Sequence, residues 1–278
     1  MHALSFVRRP LLLLAVPAAL LLGGCYTVPV TGRTAMNLVD EKEVTKMSVA
    51  AFNDLRAHNP LSRDKDRVDQ LKRVGERLQR VIPWWEMGDA DWEFVVFDVP
   101  QEINAFAMAG GKVGVFTGLF KVVENDDQLA SVLAHEIAHV TAKHVQERLS
   151  RQLAKDTLGV VGMLGGAVVD GTGLSTIAVQ EAYGATSGAD LAFDRDKERE
   201  ADHIGLIYMA QAGYNPQEAI KVLERLEEVV GGQMSIKDTL QSNHPSNPER
   251  IQALTEELPK AMEVYRLSGQ KVAPTIIK

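Results

Sequence analysis

The sequence predicts an α+β protein, mostly helical, with one small and mostly antiparallel sheet. Three observations lead there. Apolar residues recur at helical spacing in segments on both sides of residues 91–116. That central stretch is rich in β-branched and aromatic residues and holds a Gly-Gly pair. The order is helices, then strands, then helices, as in α+β folds and unlike the alternation of α/β folds. The 278 residues are 45% hydrophobic and 24% charged, an ordinary globular composition. A formal net charge of −7 argues against a nucleic-acid binder, which needs a basic surface. The single cysteine, Cys25, excludes an internal disulfide.

The N-terminus reads as a secretory signal. Arg8 and Arg9 precede an apolar run, Leu11 to Leu22, which is too short for a comfortable membrane span. Gly23, Gly24 and Cys25 follow. Leu22-Gly23-Gly24-Cys25 resembles the bacterial lipobox, in which the cysteine becomes the lipidated first residue. A plain signal peptide with an incidental cysteine, or a short signal anchor, is the alternative. The expected organisation is a signal at 1–24, a polar leader at 25–37, one domain over 38–258 and a tail at 259–278.

Within the domain, Asp40 is placed to cap a helix through residues 41–58, and residues 63–82 form a second helix that Pro83 ends. Asp91 to Val99 reads as a strand. Residues 103–118 read as two short strands joined by a two-residue turn, Gly110-Gly111. Trp84, Trp85 and Trp92 read as anchors for the N-terminal helices, with a partner-binding patch as the alternative. Asn125 opens a long helix, with Gln128 as its capping-box partner, running to about Lys155. Residues 156–190 are rich in glycine and small apolar residues and read as packed helices or a lid in preference to a membrane hairpin. A further helix starts with Asp194 or Asp196 as its cap and ends at Gly213, the next begins at Asn215-Pro216, and the last is capped by Asn247 with Pro248 following.

The chemistry lies in His135-Glu136-Ile137-Ala138-His139. Residues four apart share a helix face, so the two imidazoles can meet one zinc ion. Glu136 is offset and can take a proton from water that zinc has acidified to a pKa of about 7. Such a site needs a third protein ligand and an open position. Glu198 and Asp202, again four apart, suit a ligand and its hydrogen-bonding support; a solvated charged helix start is the plainer reading. His144 lies about 140° beyond His139 on a continuous helix and reads as structural or exposed, and Glu200 should face away from Glu198.

These residues, "AHEIAHVTAKH" with the later "EREAD", resemble the gluzincin metallopeptidases of the Ste-type and HtpX family. More narrowly they resemble its periplasmic lipoprotein branch, typified by BepA and LoiP, with the mitochondrial Oma-type proteases as cousins. The resemblance implies a gluzincin-like domain with an HExxH helix, one Zn2+ per chain, Glu198 as third ligand and Asp202 behind a histidine. Asn104-Ala105-Phe106-Ala107 and Gly110-Gly111-Lys112-Val113 resemble the family's active-site hairpin. There Asn104 and Ala105 are candidate peptide contacts by strand pairing, while Phe106 reads as core. His244, in the family's late His-Pro element, has three readings: oxyanion stabiliser, ligand of a latent state, or plain loop residue. Arg250 reads as paired with an acid. His203 faces away from the site.

The implied function is a lipid-anchored zinc endopeptidase with Glu136 as general base. Its partners are unfolded or misfolded polypeptides, outer-membrane proteins or their assembly machinery among them, and no nucleic acid. Tyr26, where many inner-membrane lipoproteins have aspartate, points by resemblance to the periplasmic side of the outer membrane. A chaperone or assembly factor with latent proteolysis is the alternative. A structural zinc protein is disfavoured, because a closed site has no use for Glu136.

Overall fold

A computed structural model of the chain describes residues 24–164, 191–231, 244 and 248–271. Two strands come first: β1 (Cys25–Thr27) pairs antiparallel with β2 (Thr34–Met36). The stretch read as a polar leader packs on the body, with Val28 and Ala35 buried in the main core. α1 (Glu41–His58) and α2 (Lys65–Gln79) follow, capped by the side chains of Asp40 and Asp64 as polar N-caps require. A four-residue helix, α3 (Trp84–Met87), comes next. Its two tryptophans are not anchors: Trp84 is 77% exposed and Trp85 67%. Only Trp92 packs inward, stacked on Phe94.

The main sheet holds β3 (Glu93–Phe97), β4 (Ala105–Met108) and β5 (Lys112–Phe116) in the order β3-β5-β4. β4 and β5 are antiparallel, whereas β3 and β5 are parallel. Two of the three strand pairings described are therefore antiparallel. Met108 pairs with Lys112, so the hairpin loop has three residues, not two. Gly110 and Gly111 take φ of +84° and +78° there, the left-handed region that only glycine enters without strain. One side of the sheet joins the main core with α2 and α4. The other meets α1 through a cluster of Phe52, Phe97, Phe106 and Phe116, so Phe106 is core. β4 is an edge strand, packed along α4 (Asp126–Thr141).

The remaining elements are α5 (His144–Leu164), α6 (Leu191–Gln211), α7 (Gln217–Gly231) and α8 (Pro248–Lys271). α6 begins before Asp194, ahead of the caps expected for it, and Gly213 at φ +74° closes its end. α8 carries the chain through Pro259 to Lys271, so much of the expected tail is helix. The Gly-rich residues 165–190 and the expected cap Asn247 lie outside the described residues. No described helix is long and apolar enough to cross a membrane.

Candidate metal centre

α4 is held at its start and broken at its end, and both features place the site. The Asn125 side chain accepts from the Gln128 backbone N–H at 2.9 Å, and Gln128 Oε1 accepts from the Glu124 N–H at 2.8 Å. Asp126, in the first turn, accepts from Arg73 through Nε and Nη2, both at 2.8 Å, which ties α4 to α2. The helix does not continue to Lys155. Lys143 takes φ +56°, a left-handed conformation that ends an α-helix. Its ammonium donates to Glu41 at 2.8 Å and lies over the Tyr26 ring, 4.1 Å from the centroid. The chain then restarts as α5 with His144 as first residue.

α6 crosses α4 where Gly205 faces His135. A Cβ on residue 205 would lie 2.9 Å from the His135 backbone nitrogen, so glycine alone permits this approach. The close crossing brings Glu198 and Asp202 to the two histidines.

Four groups converge: His135, His139, Glu198 and His244, each offering one donor atom, all within 4.8 Å of one another. His135 Nε2 lies 3.1 Å from His139 Nε2, 3.2 Å from His244 Nδ1 and 3.3 Å from Glu198 Oε2. Glu198 Oε1 lies 3.3 Å from His139 Nε2 and 2.9 Å from His244 Nδ1. A tetrahedral ion with bonds of about 2.0–2.1 Å sets its donors about 3.3 Å apart. Imidazole nitrogens with one carboxylate are also a donor set that zinc favours. The residues present therefore fit such an ion.

The electrostatics agree. Burial pushes the Glu198 carboxyl up, but His244, Arg250, His139 and His135 outweigh it and hold it well below its usual range. Burial pushes His135 down, yet Glu198 and Asp202 overcome that and raise it to about 10. Burial dominates at His139, which is held well below the ordinary histidine value. Glu198 and Asp202 thus draw positive charge into the cluster, a charge that a bound metal cation would supply in place of a proton.

Asp202 Oδ1 lies 2.9 Å from His135 Nδ1. Arg250 clamps it, donating from Nε at 2.8 Å and Nη2 at 2.7 Å, and also donates from Nη1 to the His244 carbonyl at 3.1 Å. The acid pairing expected of Arg250 is present. Glu136 is buried beside the cluster, with Oε1 3.6 Å from His244 Nε2 and without a hydrogen-bond partner. Burial raises its pKa. His203 turns away and pairs with Glu257 at 3.0 Å.

Asn104 and Ala105 are buried. Asn104 Oδ1 accepts from the Ala105 N–H at 2.9 Å, and its amide donates to Glu102 at 3.3 Å. The Asn104 side chain is therefore turned to its own chain, and no described strand pairs with the outer edge of β4.

His144 departs from expectation. His144 is neither exposed nor remote: it is buried, with Nδ1 2.8 Å from His139 Nδ1 and Nε2 3.0 Å from Glu200 Oε2. Burial holds its pKa below the usual histidine value. Glu200 points away from Glu198, as helical spacing requires, but closes on the back of His139 through His144. The break at Lys143 carries no glycine or proline, so the continuous-helix reading had no signal against it.

An apolar cavity of about 60 Å³ borders His135, Glu136 and His244, walled by Val132, Leu206, Met209, Val222, Leu223 and Leu226.

Residues 67–258 match the sequence pattern of peptidase family M48. The chain belongs to family M48. Among similar M48-type proteins is the mitochondrial metalloendopeptidase OMA1 of Schizosaccharomyces pombe, 34% identical over 240 residues, covering 84% of this chain and 66% of that protein. The Saccharomyces cerevisiae OMA1 is 36% identical over 183 residues, 64% of this chain and 50% of that one. The beta-barrel assembly-enhancing protease of Escherichia coli K12 is 29% identical over 260 residues, 91% of this chain and 49% of that one. The chain thus spans half to two thirds of the length of these relatives.

Proposed function

We propose that this M48 chain is a zinc metalloendopeptidase that cuts unfolded polypeptide, with His135, His139 and Glu198 as ligands and Glu136 as general base. One observation carries the reading: convergent metal-donor atoms with a buried carboxylate beside them, one oxygen of which has no hydrogen-bond partner among the described residues. Bound zinc would supply Lewis acidity and lower the pKa of a water to about 7. Asp202 holds the His135 ring, and Arg250 holds Asp202. Glu136 takes the proton of the attacking water and returns it to the leaving amine. An extended peptide pairs with the open edge of β4 beside α4, and the apolar cavity receives a small apolar side chain.

The lipobox-like Cys25 supports a lipid anchor, and the bacterial relative's name supports a place in the assembly of β-barrel proteins. We place the protein in the periplasm on the outer membrane, acting on stalled or misfolded outer-membrane proteins. The test is cleavage of unfolded casein by purified protein, with zinc content measured alongside. Chelation should abolish cleavage and zinc should restore it. Protein that stays inactive and metal-free after zinc addition would sink the reading.

A second reading has its own observation. His244 Nδ1 stands among the ligand atoms, where water or substrate has to enter, so the site as described is closed. Such a protein would spend much of its time as a chaperone or assembly factor with latent proteolysis. Full rescue of an envelope defect by Glu136→Gln would favour that role.

A further inference from the structure

We propose that His144 is the positioning residue for His139, fixing which ring nitrogen of His139 carries the proton and so presenting the other to the metal. The inference rests on the reading of the cluster as a metal centre.

The assignment starts at Glu200. Arg33 Nε donates to both of its oxygens at 2.9 Å, and Thr31 Oγ1 donates to Oε1 at 2.8 Å. A carboxylate paired in this way is ionised and only accepts. His144 Nε2, 3.0 Å from Glu200 Oε2, must then carry a hydrogen and donate it. In a neutral imidazole the other nitrogen is an acceptor. His144 Nδ1 therefore accepts from His139 Nδ1, 2.8 Å away. The proton of His139 is thus committed to Nδ1, and its Nε2 keeps a lone pair. That Nε2 is the atom 3.1 Å from His135 Nε2 and 3.3 Å from Glu198 Oε1. The opposite tautomer would turn an N–H towards the metal and block coordination.

At His135 the corresponding nitrogen, Nδ1, lies 2.9 Å from Asp202 Oδ1. Two acids of α6 serve two imidazoles of α4. Glu200 projects from another face of α6 than Asp202, so an acid alone does not reach His139 from there. The break at Lys143 swings His144 into the gap. The outermost members of the chain, Thr31 and Arg33, belong to the β1–β2 segment. A hydrogen-bonded partner behind a ligating histidine contributes ~10–100-fold in metal affinity.

The experiment compares His144→Leu with His144→Gln in the full chain, reading zinc affinity by chelator competition and the protonated nitrogen of His139 by 15N NMR of the metal-free protein. Leucine fills the site and removes both bonds. Glutamine keeps them, because its oxygen accepts and its amide donates. H144L should lose ~10–100-fold in zinc affinity, and H144Q should stay near wild type. Wild type should show His139 protonated at Nδ1 alone, and H144L a mixture. Equal affinity in H144L and wild type, or equal losses in H144L and H144Q, would overturn the proposal. Wild-type protein that takes up no zinc would remove the metal reading itself, while the tautomer of His139 still tests the hydrogen-bond chain. Should H144L fail to fold, Glu200→Gln takes its place. Its amide no longer forces His144 Nε2 to donate, so His139 should turn to mixed tautomers, and an unchanged tautomer would overturn the proposal.

Discussion

His244 Nδ1 lies 2.9 Å from Glu198 Oε1, so a loop residue competes for the groups expected to hold the metal. Replacing it tests whether the site is self-blocked. If closed molecules outnumber open ones by about ten to one, His244→Ala should raise kcat/KM on unfolded protein about tenfold. A loss of ~100-fold would instead assign His244 to oxyanion stabilisation.

Glu136 is buried with one oxygen unpartnered, an arrangement that favours chemistry over stability. Glu136→Gln should lower kcat by ~10²–10⁴ while zinc content stays at the wild-type level. The same change removes a buried charge, so the melting temperature should rise by ~2 °C or more, equivalent to about 1 kcal/mol. Calorimetry beside a peptidase assay reads both. A melting temperature below wild type would show that Glu136 has a structural partner.

Arg250 faces Asp202 at 2.7 Å and Glu198 at 3.1 Å; Arg250 and Glu198 are buried and the Asp202 side chain is 10% exposed. Arg250→Ala strands the buried Glu198 and the largely enclosed Asp202, a loss that typically costs about 3–5 kcal/mol. Denaturant unfolding of the metal-free protein should show it. Arg250→Lys should recover only part, since a lysine cannot reproduce the two-pronged contact with Asp202.

The Arg73–Asp126 pair links α2 to the start of α4. Arg73 chiefly holds the Asp126 carboxyl below its ordinary value of 3.8, against the upward push of partial burial and with Gln70 assisting. A depressed folded pKa contributes stability above the unfolded value, and that contribution is lost as pH falls through the folded one. The pair is partly exposed, so Asp126→Asn should cost only ~0.5–1 kcal/mol near pH 7. The gap between variant and wild type should close as pH falls below 3.8. A gap constant from pH 7 to acid would mean that packing, not charge, carries the effect.

Much of this was legible because it is local. The spacing of His135, Glu136 and His139 specifies one helix face, and Glu198 with Asp202 specifies another. Polar caps at Asp40 and Asn125 mark helix starts, and Gly110-Gly111 marks the hairpin. Non-local relations were not legible. A left-handed Lys143 is stabilised by Glu41 and Tyr26, distant in sequence, so the turn that recruits His144 leaves no local mark. The strand pair before α1 has three residues a side, too short for periodicity to register. The exposure of Trp84 and Trp85 depends on what packs beside α3, which residue type alone does not determine.

The β1–β2 pair gives the candidate ligand set a mechanical connection. Cys25 begins β1, and Arg33 at the other end of the turn holds Glu200. If Cys25 is the tether, tension on the tether is transmitted along the strands to Arg33, then Glu200, His144 and His139. Force at the anchor would reach the carboxylate contacts of α6, making attachment and metal retention two ends of one load path.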